Sequence, residues 1–198
     1  MARNFGNFEG GESPEEVDKN NEVPEEESEF ENDFDNKWDD NEEVEESKET
    51  NDADKDGVIK KKCIREDLEG QKHPETGVPY ERKVVDVDGQ KVEGVFPQFK
   101  SEYETQLPED MYTADDPTQM KYCTKQLREE IKNNPELAEK FDERQLQQIE
   151  KGAQKIDGYT WHHTEEPGKM QLVDEDEHAD TPHTGGRSIW GGGKECRR

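Results

Sequence analysis

The stretch WHHTEEPGKMQLVDEDEHADTPHTGGRSIW, residues 161–190, holds four of the chain's five histidines. Just before it, Tyr159, Thr160 and Trp161 are good strand formers that follow the turn pair Asp157-Gly158. Glu166-Pro167-Gly168 reads as a turn and KMQLV, residues 169–173, as a second strand, which together predict a hairpin. DEDEHADTPH, residues 174–183, then predicts a short helix, with acids placed where the helix dipole favours them. Successive side chains on a strand point to opposite faces, so His162 and His163 cannot perform the same task. One of them can join His178 and His183 around a divalent ion, because neutral imidazole is a common ligand for transition metals. The other can take a proton from water during attack on a phosphodiester. An ion alongside would stabilise charge on the phosphate and on the leaving oxygen. Three imidazoles for an ion and one for proton transfer account for all four.

Two features of this stretch qualify the geometry. His178 and His183 are five residues apart, whereas a spacing of four would stack them on one helix face, and Pro182 disfavours a regular helix there. They converge only if the helix ends before His183. The following segment GGRSIWGGG, residues 185–193, is glycine-rich and carries Arg187. Its guanidinium suits a phosphate, and it equally suits a salt bridge to one of the many acids nearby. Trp161 and Trp190 are expected in the core, and Lys151 and Lys155 on a solvated face.

Upstream, the period of the apolar residues is helical. Asp116-Pro117 predicts a helix start, and Met120, Cys123, Leu127 and Ile131 recur on one face. That placement makes Cys123 a small core residue. Asn133-Asn134-Pro135 predicts the stop, a short helix follows over residues 135–141, and a third starts at the cap Asp142 and ends near Gly152. Before this block, Val84 to Val87 and Val92 to Phe96 flank Asp88-Gly89, the strongest hairpin signal in the chain. GVIKKKCI, residues 57–64, predicts a short strand, and His73 is expected as an exposed loop residue. DADKDG, residues 52–57, resembles the start of a calcium loop, but Cys63 stands where the bidentate Glu is required.

Residues 1–55 are a different material. They carry 22 acids against 5 bases, which is −17 of the total charge of −26. With so few apolar residues this segment is expected to be a disordered acidic tail. Its acidic-aromatic run EFENDFDNKWDD, residues 29–40, is alternatively a docking segment or a phosphate mimic over a basic cleft. Such acidity argues against a protein that coats nucleic acid, but not against an enzyme with a local metal-bearing cleft. No apolar run approaches a membrane span, and the N-terminus has no signal-peptide core. Cys63, Cys123 and Cys196 are scattered and odd in number, which points to a reducing, cytoplasmic setting.

Trp161-His162-His163, the strand Met170 to Val173, His178 and His183-Thr184-Gly185-Gly186 resemble the HNH/endonuclease VII superfamily with its ββα-metal motif. The nearest resemblance is to its Trp-His-His branch, which furnishes bacterial polymorphic toxins and is similar to colicin DNase domains. With the element readings above, the chain is expected to be α+β: disordered acidic tail 1–55, β-rich scaffold with a hairpin 56–115, helical scaffold 116–152 and, as the resemblance implies, a ββα-metal nuclease motif 153–198. It implies His163 as general base and His162, His178 and His183 as ligands of one divalent ion, with Mg, Mn, Ni or Zn all open. The middle Asn of an HNH motif has no counterpart, and Gln171 is the nearest amide for its bracing role. Arg187 joins the expected catalytic set as a phosphate contact. The implied activity is endonucleolytic, with DNA favoured over RNA. The implied partner is a cognate immunity protein, and the implied destination is the cytoplasm of a target cell. The competing readings are a structural zinc adaptor closed by four histidines and a catalytically inactive nuclease relative.

Overall fold

A computed structural model describes residues 57–193. The acidic tail with its acidic-aromatic run, most of the calcium-loop-like stretch, and Cys196 lie outside the described residues. The chain is α+β, with two three-stranded sheets and four helices among the described residues.

The first sheet is built on the hairpin that the valine pattern predicts. Strands β2 (Tyr80–Val87) and β3 (Gln90–Pro97) pair antiparallel, and β1 (Val58–Lys60) adds to β3 in parallel. Asp88 and Gly89 both take positive φ, 53° and 81°, as a two-residue turn matched to strand twist requires. Tyr80, Val95 and Phe96 are buried from this sheet, with Cys63 and Leu68 packed against them.

Three of the helices lie in sequence between the first sheet and the hairpin of the histidine stretch. Helix α1 (Asp116–Asn133) is capped by the Asp115 carboxylate, which accepts from the Thr118 amide. The cap is thus one residue earlier than Asp116, and Pro117 occupies the first turn, where its missing N–H costs nothing. Helix α2 (Pro135–Ala138) is shorter than expected, a single turn. Helix α3 (Glu143–Lys151) opens with a reciprocal capping box between Asp142 and Gln145 and closes on Gly152 at φ 66°.

The second sheet has the order β4-β6-β5. The hairpin of the histidine stretch supplies β5 (Tyr159–His163) and β6 (Lys169–Asp174), and helix α4 (Glu175–Ala179) follows without a break. Strand β4 (Ser101–Gln106) pairs antiparallel with β6 on the other edge. The sequence pattern predicts no strand there. Ser-Glu-Tyr-Glu-Thr-Gln has one large apolar side chain, Tyr103, so an edge strand held by its ladder to β6 leaves little hydrophobic signature.

The main core forms where one face of this sheet meets α1 and α3. Trp161, Met170 and Leu172 pack there with Cys123, Leu127, Ile149 and Trp190, all under 8% exposed. The Trp161 indole N–H donates to the Thr124 hydroxyl at 3.1 Å, so its polar tip is not stranded. Burial raises the Cys123 thiol to about 12, which makes it an inert core residue.

His73 corrects an expectation. It is 5% exposed rather than a surface loop residue. Its N–H bonds to the Val78 carbonyl and its own carbonyl accepts from Gly77, which closes a tight loop. The loop turns the imidazole inward, between the Arg65 guanidinium at 3.3 Å and the Thr76 amide at 3.4 Å.

Candidate active site

The two faces of β5 separate the adjacent histidines. His162 pairs in register with Gln171 and His163 with Met170, so His163 shares its face with the core residues and His162 faces away from them. On that outer face His162 meets His178 from α4 and His183 from the loop beyond it. One nitrogen from each ring lies within 4.8 Å of the other two. The His162 Nδ1 is 3.3 Å from the His178 Nε2. Helix α4 stops at Ala179, with Asp180 as its cap, and this early end lets His183 swing back despite the five-residue spacing. The Asp174 carboxylate, accepting from the Glu177 amide, fixes the start of α4 directly after β6.

The three rings stand on an apolar floor. Phe99 places its ring 4.9, 5.3 and 5.4 Å from those of His162, His178 and His183. The loop that carries His183 is anchored on several sides. Tyr80 donates its hydroxyl proton to the Pro182 carbonyl, and the Thr184 hydroxyl accepts from the Ile64 amide at 2.8 Å. Buried Thr181 hydrogen-bonds both the Glu177 carbonyl and the Thr76 hydroxyl. The first sheet and the loop around His73 therefore hold the third histidine of the cluster.

The donor set fits a divalent transition ion. Desolvation lowers His162 well below its ordinary value, and the neighbouring imidazoles add to the effect. Desolvation, then His183, takes His178 down to about 3. Both rings are thus neutral near pH 7, the state in which imidazole is a ligand. The His183 Nδ1 lies 2.6 Å from the Thr181 carbonyl. A carbonyl can only accept, so this nitrogen carries the proton, and Nε2 is left as the ligand atom. Nitrogen donors of this kind suit Zn or Ni better than Mg, which prefers oxygen. A site with three protein ligands also keeps a position for water or substrate.

On the inner face, His163 reaches a residue outside the set expected from the sequence, Gln119. The imidazole Nε2 is 2.7 Å from the Gln119 Oε1, on the first turns of α1. Arg187 approaches the same oxygen with Nη1 at 2.8 Å, and its Nη2 meets the Ala114 carbonyl at 2.9 Å and the Asp116 carboxylate at 3.0 Å. Gln119 is fully buried and Arg187 is 2% exposed. Arg187 therefore stands inside the protein as the partner of an acid and of Gln119. Trp190 flanks His163, ring centroids 5.7 Å apart, and donates its indole N–H to the Thr164 carbonyl at 2.9 Å. Gly186 makes this closure possible, because a Cβ there would lie 1.7 Å from the Thr164 oxygen.

The structure thus gathers His162, His178 and His183 on one face, and His163 with Arg187 on the other through Gln119. Gln171 is on the outer face, opposite His162, and donates to the Glu104 carboxylate at 2.6 Å. The side-chain amide that meets His163 is that of Gln119. The sequence carried a signal for it: Gln119, Cys123 and Leu127 are successive members of one buried helical stripe, and a buried amide on such a stripe needs partners.

Residues 88–185 match the Colicin-DNase family model, described as the DNase/tRNase domain of colicin-like bacteriocin. The match spans the second sheet, all four helices and the four clustered histidines, and it ends two residues before Arg187. No curated protein and no solved structure matches the chain. Among the described residues, no helix is long and apolar enough to cross a membrane. The family match supports a nuclease toxin domain in this chain.

Proposed function

We propose that this chain is a metal-dependent endonuclease of the HNH, Trp-His-His type, which hydrolyses phosphodiester bonds in DNA in preference to RNA. The observation that carries the reading is the convergence of His162, His178 and His183 within 4.8 Å, with His163 next in the strand. His162, His178 and His183 would hold one divalent ion, with Zn or Ni favoured by the three nitrogens. When bound, such an ion supplies electrostatic stabilisation of the charge that develops on the phosphate and the leaving oxygen. His163 takes a proton from the attacking water as its oxygen bonds to phosphorus and the P–O bond to the leaving group breaks. Water as the nucleophile makes no use of a ribose 2′-hydroxyl, which is why DNA is the favoured substrate. Phe99 and the Tyr80-anchored loop exclude water from beneath the three imidazoles and keep them in register. Two roles suggested by the resemblance fit this geometry less directly: Gln171 is engaged by Glu104, and Arg187 by Asp116 and Gln119.

A structural zinc module would need a closed site. His163 lies on the opposite face of β5 from the other three, which favours an open three-ligand site over a four-histidine cage. The proposed biological setting is a toxin delivered into the cytoplasm of a target cell and restrained in its producer by a cognate immunity protein. The test is cleavage of plasmid DNA and of total RNA by the full chain with Mg²⁺, Mn²⁺, Ni²⁺ or Zn²⁺. EDTA and His163→Ala serve as controls. Metal-dependent cutting of DNA that is lost in His163→Ala is expected. Cutting that persists in EDTA, or no cutting with any metal, overturns the reading.

A further inference from the structure

We infer that Gln119 is the positioning residue that selects the tautomer of His163, holding the proton on Nε2 so that Nδ1 presents the lone pair for proton transfer. The inference rests on the nuclease reading above, and it concerns a residue on a helix outside the strand-strand-helix unit that holds the clustered histidines.

The Gln119 amide can adopt one orientation only. Its Nε2 lies 2.7 Å from the Met111 carbonyl and 3.0 Å from the Tyr112 carbonyl. Its Oε1 lies 2.8 Å from the Arg187 Nη1. Carbonyl oxygens only accept and guanidinium nitrogens only donate. Rotating the amide by half a turn would set its oxygen against two carbonyls and its nitrogen against a guanidinium. Three neighbours therefore fix the amide in one orientation before His163 is considered.

The oxygen so fixed faces the His163 Nε2 at 2.7 Å. An amide oxygen cannot donate, so the imidazole must, and Nε2 carries the hydrogen. In the neutral ring the lone pair then belongs to Nδ1. The surroundings make this selection hard to escape. Gln119 is fully buried and Arg187 is 2% exposed, so water cannot readily replace either partner. Arg187 also meets Asp116 and the Ala114 carbonyl, which sit with Gln119 at the start of α1. The first turn of α1 thus acts as a clamp that leaves the ring in front of it one tautomer. Arg187 acts through Gln119, as the cation that holds the amide oxygen in place.

The first test needs no substitution. Long-range ¹H–¹⁵N spectra of the full chain, in EDTA at pH 7.5, distinguish Nε2–H from Nδ1–H imidazole, and the His163 signal is identified by its loss in His163→Asn. An Nε2–H ring is expected, and an Nδ1–H ring overturns the inference. The second test compares Gln119→Met, which removes the acceptor at similar volume, with Gln119→Glu, which keeps an acceptor facing the ring and Arg187 but replaces the donor to the Met111 and Tyr112 carbonyls with an oxygen. Gln119→Met should lose the single-tautomer signature and lower kcat on plasmid DNA at least about tenfold with KM unchanged. That is part of the roughly 10²–10⁴-fold that a positioned general base contributes. Gln119→Glu should retain the Nε2–H signature, at a cost in stability from the oxygen it sets against those two carbonyls. If wild type cuts DNA but Gln119→Met keeps both tautomer and kcat, the positioning role falls and the nuclease reading stands. If wild type cuts neither DNA nor RNA, the nuclease reading falls and takes this role with it.

Discussion

Acid should destabilise the metal-free protein through the buried histidines, and the size of the effect follows from His178. Its pKa in the folded protein is about 3, set by desolvation and then by His183, against about 6.5 for an unperturbed imidazole. Between these values the unfolded chain binds a proton that the folded one refuses, so stability falls as the pH drops. The loss begins near pH 6.5 and is complete near pH 3. At about 1.4 kcal/mol per unit, a sample at pH 5 sits roughly 1.5 units into this window and loses about 2 kcal/mol from His178 alone. His162 is shifted in the same direction and adds to the loss. The assay is urea unfolding at pH 7.5 and 5.0, with EDTA present so that proton competition for a bound ion does not enter. At a slope of about 1–3 kcal/mol per molar, the midpoint should fall by roughly 1 M or more. His178→Gln removes one titrating ring, and its midpoint should fall less by about the His178 share. Parallel falls in the two proteins would refute the argument.

Three further outcomes follow from the same geometry. Saturating Zn²⁺ should raise the melting temperature of wild type and leave His183→Ala unmoved; at 100 times the dissociation constant the gain is about 2.7 kcal/mol. An equal rise in both would mean that the ion binds elsewhere. Gly186→Ala should cost roughly 3 kcal/mol or more, about 10 °C in Tm, because the new Cβ would overlap the Thr164 carbonyl, and an unchanged Tm by calorimetry would count against the tight closure. Leu127→Ala, at a fully buried core position, should cost about 2–5 kcal/mol in urea unfolding while zinc affinity per folded molecule stays the same. A matching loss of zinc affinity would show that the core and the histidine cluster are coupled.

Local patterns carried much of this protein. Asp88-Gly89 between valine-rich runs fixes a hairpin because few residue pairs accept positive φ twice in succession. Asp142 with Gln145, and Gly152 nine residues beyond the start of α3, mark that helix because caps are local hydrogen bonds. The separation of His162 and His163 onto opposite faces follows from the two-residue period of a strand, whereas the five-residue spacing of His178 and His183 left their convergence to the point at which α4 ends. Other features depended on partners distant in sequence. Strand β4 is an edge strand whose stability comes from pairing with β6, and nothing in its own six residues announces that pairing. His73 is buried because its loop folds against Arg65, and Arg187 is buried because α1, far upstream, offers Asp116 and Gln119. The nearest amide in sequence, Gln171, turns to Glu104, while an amide 44 residues before His163 reaches the ring. Sequence alone determines which side chains can carry the chemistry and which face of their own element they occupy. Only the packing of α1 against the inner face of the second sheet decides which neighbour orients each of them, because hydrogen-bond partners are chosen by distance in space.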